Sequence, residues 1–143
     1  QRPSDFSFSY AVGGGFLVES SARISLRNEK IQFDASEDNA SCTLTYQPTT
    51  EELDTLYTRL RQQRIDRIGT YHKRVYDRGG STLHFNWDNH FVEVNDAGMS
   101  FVVMLDQARL GKAIQAIVSV NNQYLQQHPE VKCSTEVLEM LEY

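Results

Sequence analysis

Residues that could bind a metal ion or transfer protons are concentrated between Thr70 and Met104. The histidines and carboxylates of this segment are His72, Asp77, His84, Asp88, His90 and Glu93. Zinc needs three or four nitrogen, sulfur or oxygen ligands that converge at about 2.0–2.3 Å. Whether these side chains converge depends on the strands that carry them.

The dipeptide Asp88-Asn89 predicts a two-residue hairpin turn. This register pairs Trp87 with His90, Phe85 with Val92 and Leu83 with Val94, so the apolar residues share one face. It also places His84 opposite Glu93, whereas His84 and His90 fall on opposite faces. His84 and Glu93 alone supply too few ligands, and the chain has no HExxH, CxxC or EF-hand pattern. We therefore assign no metal ion and no cofactor.

Motifs for nucleophilic or acid–base catalysis are also missing from the sequence. There is no GxSxG pattern, and the adjacent carboxylates Glu51 and Glu52 are explained by helix capping. We assign no catalytic residue and favour a non-enzymatic protein. The alternative is a small enzyme or ligand carrier in which Asn121, His72 or Tyr124 converge between the sheet and the long helix.

A turn in the same segment is the candidate recognition surface. It comprises Tyr76, Asp77, Arg78, Gly79 and Gly80. Tyrosine and arginine are enriched at interface hot spots, and a turn presents them without burying backbone. We predict a binding surface here that continues through His84, Phe91 and Glu93. An ordinary hairpin with an exposed polar rim is the alternative.

The sequence from Phe6 to Tyr46 predicts four strands. Alternation from Phe6 to Val12 is typical of a half-buried strand, which Gly13-Gly14-Gly15 ends. Between Phe16 and Ala35 the pattern predicts two strands joined at Asn28-Glu29. In that register Leu26 lies opposite Ile31 and Ile24 opposite Phe33, so all four share one face. Cys42, Leu44 and Tyr46 alternate inward on a fourth strand.

Three helices are predicted from their start signals. Thr49 and Glu52 form a capping box before an apolar stripe that includes Leu53, Leu56 and Leu60. Asp106 is expected to cap a long helix that ends before Pro129. Ser134 is expected to cap a last short helix.

This order of elements predicts an α+β protein. We expect residues 1–143 to form a single domain with an antiparallel sheet of about 7–8 strands in two meanders. Four strands and a helix are followed by about four strands and a long helix, with the helices packed on one face. The register of Tyr71 to Tyr76 stays open. The opposite face of such a sheet is free to bind a partner.

Composition excludes several classes of function. The chain of 143 residues has a formal net charge of −5 and 40% hydrophobic residues. This acidic balance, without a concentrated basic patch, argues against nucleic-acid binding. No apolar run approaches the ~18 residues of a membrane span.

The two cysteines bear on the compartment. A bond between Cys42 and Cys133 would close a long loop and stabilise the fold by about 4 kcal/mol in the chain-entropy model. Two separate buried thiols are the alternative. Together with a first residue, Gln1, that is not methionine, an oxidised pair favours an extracytoplasmic location, periplasmic, lipoprotein-like or secreted. Asn39-Ala40-Ser41 matches a glycosylation sequon.

These observations favour a small extracytoplasmic module that binds a protein or another macromolecule, in the manner of an inhibitor or an envelope-associated protein. The partner's identity is open, and so is the choice between monomer and homodimer. A cytosolic dimer that uses an exposed sheet face is a further alternative, for which the disulfide would be dispensable.

Overall fold

The computed structural model describes residues 1–14, 20–38 and 40–142. The strands are β1 (Ser7–Gly13), β2 (Ser20–Arg27), β3 (Lys30–Glu37), β4 (Ala40–Tyr46), β5 (Thr70–His72), β6 (Gly80–Trp87), β7 (His90–Ala97) and β8 (Ser100–Val102). The helices are α1 (Thr50–Gln62), α2 (Gln107–Gln127) and α3 (Thr135–Glu139). Short 3-10 helices at Ile65–Arg67 and Met104–Asp106 precede β5 and α2, respectively.

Six strands form one antiparallel sheet in the order β4-β3-β2-β1-β6-β7. The first strand is therefore central, because β1 pairs with β2 on one side and with β6 on the other. Tyr10 of β1 lies opposite Ile24 of β2 and Leu83 of β6. The α+β fold with an antiparallel sheet is confirmed.

Both predicted two-residue hairpins are confirmed. Leu26 pairs with Ile31, and Phe85 pairs with Val92. Asn28 and Glu29 have φ values of 52° and 65°, and Asp88 and Asn89 have φ values of 47° and 63°. Positive φ at both central residues is the backbone that a tight hairpin requires, so these turns fix the registers.

The strands of the second half do not form one meander. β5 pairs with β8 in a separate two-stranded sheet, where Tyr71 stacks on Phe101 with ring centroids 5.5 Å apart. β6 and β7 instead extend the sheet of the first four strands. The register left open for Tyr71 to Tyr76 is settled for Tyr71 and His72, which pair with β8 and not with β6, and residues 73–76 lie in no strand.

Two of the three predicted helix caps are confirmed. The Thr49 side chain accepts a hydrogen bond from the Glu52 amide at 3.1 Å, and the Glu52 carboxylate accepts one from the Thr49 amide at 2.8 Å. Ser134 accepts from the Val137 amide at 3.3 Å. The cap predicted for Asp106 is wrong, because its carboxylate makes no capping bond to α2. It accepts from the Gly69 amide at 2.8 Å and from Arg109 instead, and these bonds lower its pKa.

The helices cover one face of the six-stranded sheet. Tyr46 of β4 stacks on Tyr124 of α2, with ring centroids 4.0 Å apart. Arg61 of α1 lies over the Trp87 ring at 4.5 Å. A disulfide joins Cys42 of β4 to Cys133, with the Cα atoms 5.4 Å apart. It holds the C-terminal segment against the sheet, where Val137 and Leu141 are buried.

Some predictions fall on residues 15–19 and 39. The third glycine of the first turn, the start of the strand predicted from Phe16, and the asparagine of the sequon lie outside the described residues. Among the helices of the described part, none has the length and hydrophobicity needed to cross a membrane.

Candidate binding surface

The face of the six-stranded sheet that points away from the helices is accessible to solvent. We call it the open face and define it by its outward side chains. These are Ser7, Ser9, Ala11, Ser21, Arg23, Ser25, Arg27, Lys30, Gln32, Asp34, Ser36, Ser41, Thr43, Thr45, Thr82, His84, Asn86, Phe91, Glu93 and Asn95. Each of them is exposed or partly exposed, whereas the side chains that alternate with them pack in the core.

Small side chains occupy the middle of the open face. Ser7, Ser9 and Ala11 come from the central strand β1, and Ser25 lies opposite Ser9 on β2. Because these side chains are short, the larger ones around them enclose a shallow depression. Its volume is about 410 Å³, and Arg23, Arg27, His84 and Phe91 are among its lining residues.

The charge of the open face differs from that of the chain. Arg23, Arg27 and Lys30 form no ion pair with any carboxylate of the described residues. Arg23 and Arg27 are four residues apart on β2, which separates them by about 13 Å along the strand. The nearest acidic residue by register is Asp34, opposite Arg23, and it accepts a hydrogen bond from Gln32 at 2.9 Å. A chain of net charge −5 thus presents cations without ion-pair partners in the described part, beside a depression lined with hydroxyl groups.

His84 and Phe91 line the far side of this depression, and Glu93 lies beside His84. The predicted pair of His84 and Glu93 is present, with Nε2 and Oε2 2.9 Å apart. The His84 and Phe91 rings lie side by side with centroids 5.6 Å apart. The Phe91 side chain, on a residue 63% exposed, is an apolar contact area at the edge of a polar surface.

The Tyr76–Gly80 turn lies apart from this group. Gly80 is opposite Ala97 and Asn86 is opposite Phe91, so Gly80 and Phe91 are at opposite ends of the β6–β7 hairpin. Six residues of strand separate these ends by about 20 Å. The structure brings His84, Phe91 and Glu93 together and leaves the turn at a distance.

Within the turn, Arg78 has a structural role. Its guanidinium pairs with Asp96 at 2.6 Å and donates to the carbonyl groups of Gly98 and Ser100. It also lies over the Phe101 ring at 3.8 Å. These bonds fasten the turn to β7 and β8, while Tyr76 beside it is 80% exposed and Asp77 is exposed at a φ of 51°.

The two glycines of the turn are required by close backbone packing. A Cβ atom on Gly79 would collide with the carbonyl oxygen of Gly13, and one on Gly80 would collide with that of Asp96. Gly80 also has a φ of +142°, which L-residues with side chains rarely adopt. Both glycines line the second depression of the open face, of about 710 Å³, at the end opposite Phe91.

The residues of the predicted enzyme site do not converge. Asn121 is fully buried and accepts a hydrogen bond from the Tyr46 hydroxyl at 2.9 Å. Tyr124 is stacked between Tyr46 and His128, and His72 is exposed on β5. Across the three described ranges, no group of three or more histidine, cysteine or acidic side chains is placed to hold a metal ion.

Two buried tyrosines differ in their hydrogen bonding. Burial raises the pKa of both Tyr46 and Tyr10, the latter to about 12. The Tyr46 hydroxyl bonds to Asn121, whereas the Tyr10 hydroxyl has no hydrogen-bond partner among the described residues. Both side chains belong to the core.

No role was predicted from the sequence for Arg23, Ser25 or Arg27 of β2. The missing information was the position of β1. Only the pairing of β1 with both β2 and β6 brings the arginines of one hairpin beside His84 and Phe91 of the other. Neither a scan against protein-family models nor a search of curated proteins found a match to this chain.

Proposed function

We propose that this chain is a non-enzymatic recognition module that binds a protein partner through its open face. The observation that carries the proposal is the charge of Arg23, Arg27 and Lys30, which form no ion pair with the described residues, on an uncovered sheet surface. The part of the partner that contacts these residues is acidic. Cations that already lie free of ion pairs bind such a surface without first breaking a bond within the protein.

The size of the open face supports a protein as the partner. Six strands about 4.8 Å apart and about seven residues long present on the order of 650 Å². Stable protein–protein interfaces bury about 800 Å² on each partner. The depressions above Ser9 and Ala11 are shallow, so they suit a protruding side chain or loop better than an enclosed small molecule.

The polar character of the open face suits a partner that also exists free in solution. Its centre consists of serine, threonine and alanine, and Phe91 is its large apolar side chain. Obligate interfaces are more apolar than this and resemble a protein core. We therefore expect binding whose rate and affinity fall as salt is added, because exposed charges contribute to it.

The location of the module is part of the proposal. We infer an extracytoplasmic protein, because disulfides persist in oxidising compartments and are rare in the cytosol. The bond between Cys42 and Cys133 supports this inference. A cytosolic dimer that uses the open face is the alternative, and it predicts that the two thiols are reduced in the native protein.

Charge reversal on the open face tests the function. The wild-type protein and an Arg23→Glu/Arg27→Glu variant are used as bait in extracts of the native source. Arg59→Glu is the matched control, because Arg59 is an exposed arginine on α1, on the helix side of the protein. We expect the double variant to lose a partner that the wild type and the control retain.

Titration of the captured partner then gives the affinity. We expect the dissociation constant to rise by about tenfold or more in the double variant, equivalent to at least about 1.4 kcal/mol. The control should stay within about twofold of the wild type. Equal affinity for all three proteins would contradict a role for the open face.

A further inference from the structure

The two edges of the six-stranded sheet are protected to different degrees. β7 forms one edge, and β8 and β5 lie against it. β4 forms the other edge, and no further strand of the described residues pairs with it. The C-terminal segment bound to Cys42 lies on the helix side, because the Cys42 side chain points into the core. It leaves Ser41, Thr43 and Thr45 exposed.

The pairing of β4 with β3 determines which backbone groups point outward. Glu37 lies opposite Ala40 across the turn, and hydrogen-bonded pairs alternate with non-bonded pairs from there. Ala40, Cys42, Leu44 and Tyr46 therefore bond to β3. The N–H and C=O groups of Ser41, Thr43 and Thr45 therefore point away from β3, and they form no hydrogen bond with described residues outside the strands.

β4 lacks the features that usually prevent an edge strand from pairing. From Ala40 to Gln47 the sequence contains no charged residue and no proline. Natural edge strands are commonly protected by lysine, proline, bulges or a covering element. β7 shows the contrast, because it carries Glu93 and Asp96 and is flanked by β8. An unprotected, neutral, seven-residue edge is suited to pairing with another strand.

We propose that two copies of this chain pair antiparallel through β4. The two-fold axis passes between the two Thr43 residues, so that Thr43 lies opposite its counterpart and Ser41 lies opposite Thr45 of the other copy. In this register each residue whose backbone N–H and C=O groups point away from β3 lies opposite another such residue. The two strands then exchange about six backbone hydrogen bonds. A shift by two residues leaves one outward residue of each copy without a partner.

The side chains of this register are complementary as well. Thr43 faces Thr43 and Ser41 faces Thr45, and hydroxyl side chains form favourable cross-strand pairs. Leu44 lies opposite Cys42 on the helix side. No charged side chain of the strand enters the contact, which matters because each copy has a net charge of −5. A second copy therefore fits this edge without like-charge repulsion, and its symmetry pairs identical groups.

The pairing would join two six-stranded sheets into one, and the two open faces would become a continuous surface. It does not depend on the function proposed for Arg23 and Arg27, because these residues lie on β2, two strands from the edge. The double charge reversal should leave the dimer intact. Failure of one proposal can thus be told from failure of the other.

Sedimentation equilibrium over a range of protein concentrations tests the pairing. We expect a monomer–dimer equilibrium for the wild type. Thr43→Lys should raise its dissociation constant by at least tenfold, because two lysines would then face each other across the axis. Ser36→Lys is the matched control, because it adds the same charge on the adjacent strand β3 and also points to the open face. It should dimerise like the wild type.

Amide hydrogen exchange of the wild type gives a second readout that needs no variant. The amides of Ser41, Thr43 and Thr45 should exchange rapidly in dilute protein and slowly in concentrated protein. A wild type that stays monomeric at all concentrations would overturn the proposal. A dimer that Thr43→Lys leaves intact would overturn it as well. The same holds for a monomeric protein that binds a different protein, if Thr43→Lys abolishes that binding and Ser36→Lys does not.

Discussion

At the scale of single residues, the described core contains two tyrosine hydroxyl groups in unlike surroundings. The Tyr46 hydroxyl donates to Asn121, which is fully buried and whose side-chain nitrogen has no partner among the described residues. The Tyr10 hydroxyl makes no such bond. Removing a hydroxyl group that is the only partner of a buried polar group destabilises the fold more than removing a hydroxyl group that makes no hydrogen bond.

Removing each hydroxyl should therefore have different effects. We expect Tyr46→Phe to lower the free energy of unfolding by about 1–3 kcal/mol, because Asn121 is left without a partner. Tyr10→Phe should change it by less than about 0.5 kcal/mol or raise it, because no hydrogen bond is lost. Urea unfolding at neutral pH measures both changes. An unchanged m value, the slope of the unfolding free energy against urea concentration, would show that only stability has changed.

A third variant serves as the control. Combining Tyr46→Phe with Asn121→Leu removes both hydrogen-bonding groups, so part of the lost stability should return. Equal losses for Tyr10→Phe and Tyr46→Phe would contradict the assignment of the hydrogen bond.

At the scale of elements, the β6–β7 hairpin is held at its turn by a residue from the N-terminal segment. The Asp5 carboxylate accepts hydrogen bonds from the amides of Asp88 and Asn89, at 2.7 and 2.8 Å. These bonds lower the pKa of Asp5. Trp87, the one tryptophan of the chain, is the residue before this turn and reports on it.

The lowered pKa predicts the pH dependence of this contact. An unfolded chain binds a proton to Asp5 near pH 4, whereas the folded protein does so at lower pH. The stability that Asp5 contributes is therefore fully present above about pH 4 and is lost as the pH falls through the folded-state pKa. We expect Asp5→Asn to be less stable than the wild type at pH 6 and the difference to shrink toward pH 2.

Denaturant unfolding followed by Trp87 fluorescence measures this difference across pH 2 to 6. Asp38→Asn is the control, because Asp38 is an exposed turn residue whose carboxylate forms no hydrogen bond or ion pair with the described residues. The stability of Asp38→Asn should vary with pH in the same way as that of the wild type. A constant difference between Asp5→Asn and the wild type at every pH would show that the carboxylate charge plays no part.

The same hairpin shows what the sequence could predict about elements. The registers of β2–β3 and β6–β7 follow from two-residue turns and alternation, both of which are local. The pairing of β1 with β6 joins residues 67 to 79 positions apart, and no local pattern encodes it. β5 is a similar case, because its partner β8 lies 28 to 32 positions further along the chain.

The candidate site could likewise be predicted only where it depends on local hairpin register. The pair of His84 and Glu93 follows from the hairpin register and was foreseen. The role proposed for Arg23 and Arg27 was not, because it depends on β1 lying between the two hairpins. Arg78 has the residue type of an interface hot spot, yet its donors bond to Asp96, Gly98 and Ser100. Residue type alone does not distinguish these two uses of arginine.

At the scale of the whole molecule, the disulfide connects the sheet to the C-terminal segment. Cys42 and Cys133 are 91 positions apart, so their bond closes most of the chain into one loop. α3 has five residues, which is too short to be stable by itself. Its attachment depends on the burial of Val137 and Leu141 and on the nearby disulfide.

Loss of this bond should destabilise the whole fold as well as its last helix. We expect Cys42→Ala/Cys133→Ala to lower the free energy of unfolding by about 4 kcal/mol, because a loop of this length strongly restricts the unfolded chain. Limited proteolysis should then cleave first after residue 128, where the segment is no longer tied to β4. Reduced wild-type protein should behave like the double variant.

The intact mass of protein isolated from its native source, treated with an alkylating agent before and after reduction, tests the bond and the compartment together. No alkylation before reduction and two alkyl groups after it are expected of an oxidised pair. Two alkyl groups before reduction would contradict both the disulfide and the extracytoplasmic location.

Ser134→Ala removes the α3 cap but keeps the disulfide. We expect it to lower the free energy of unfolding by about 1 kcal/mol, and this smaller loss separates the contribution of the helix from that of the covalent link.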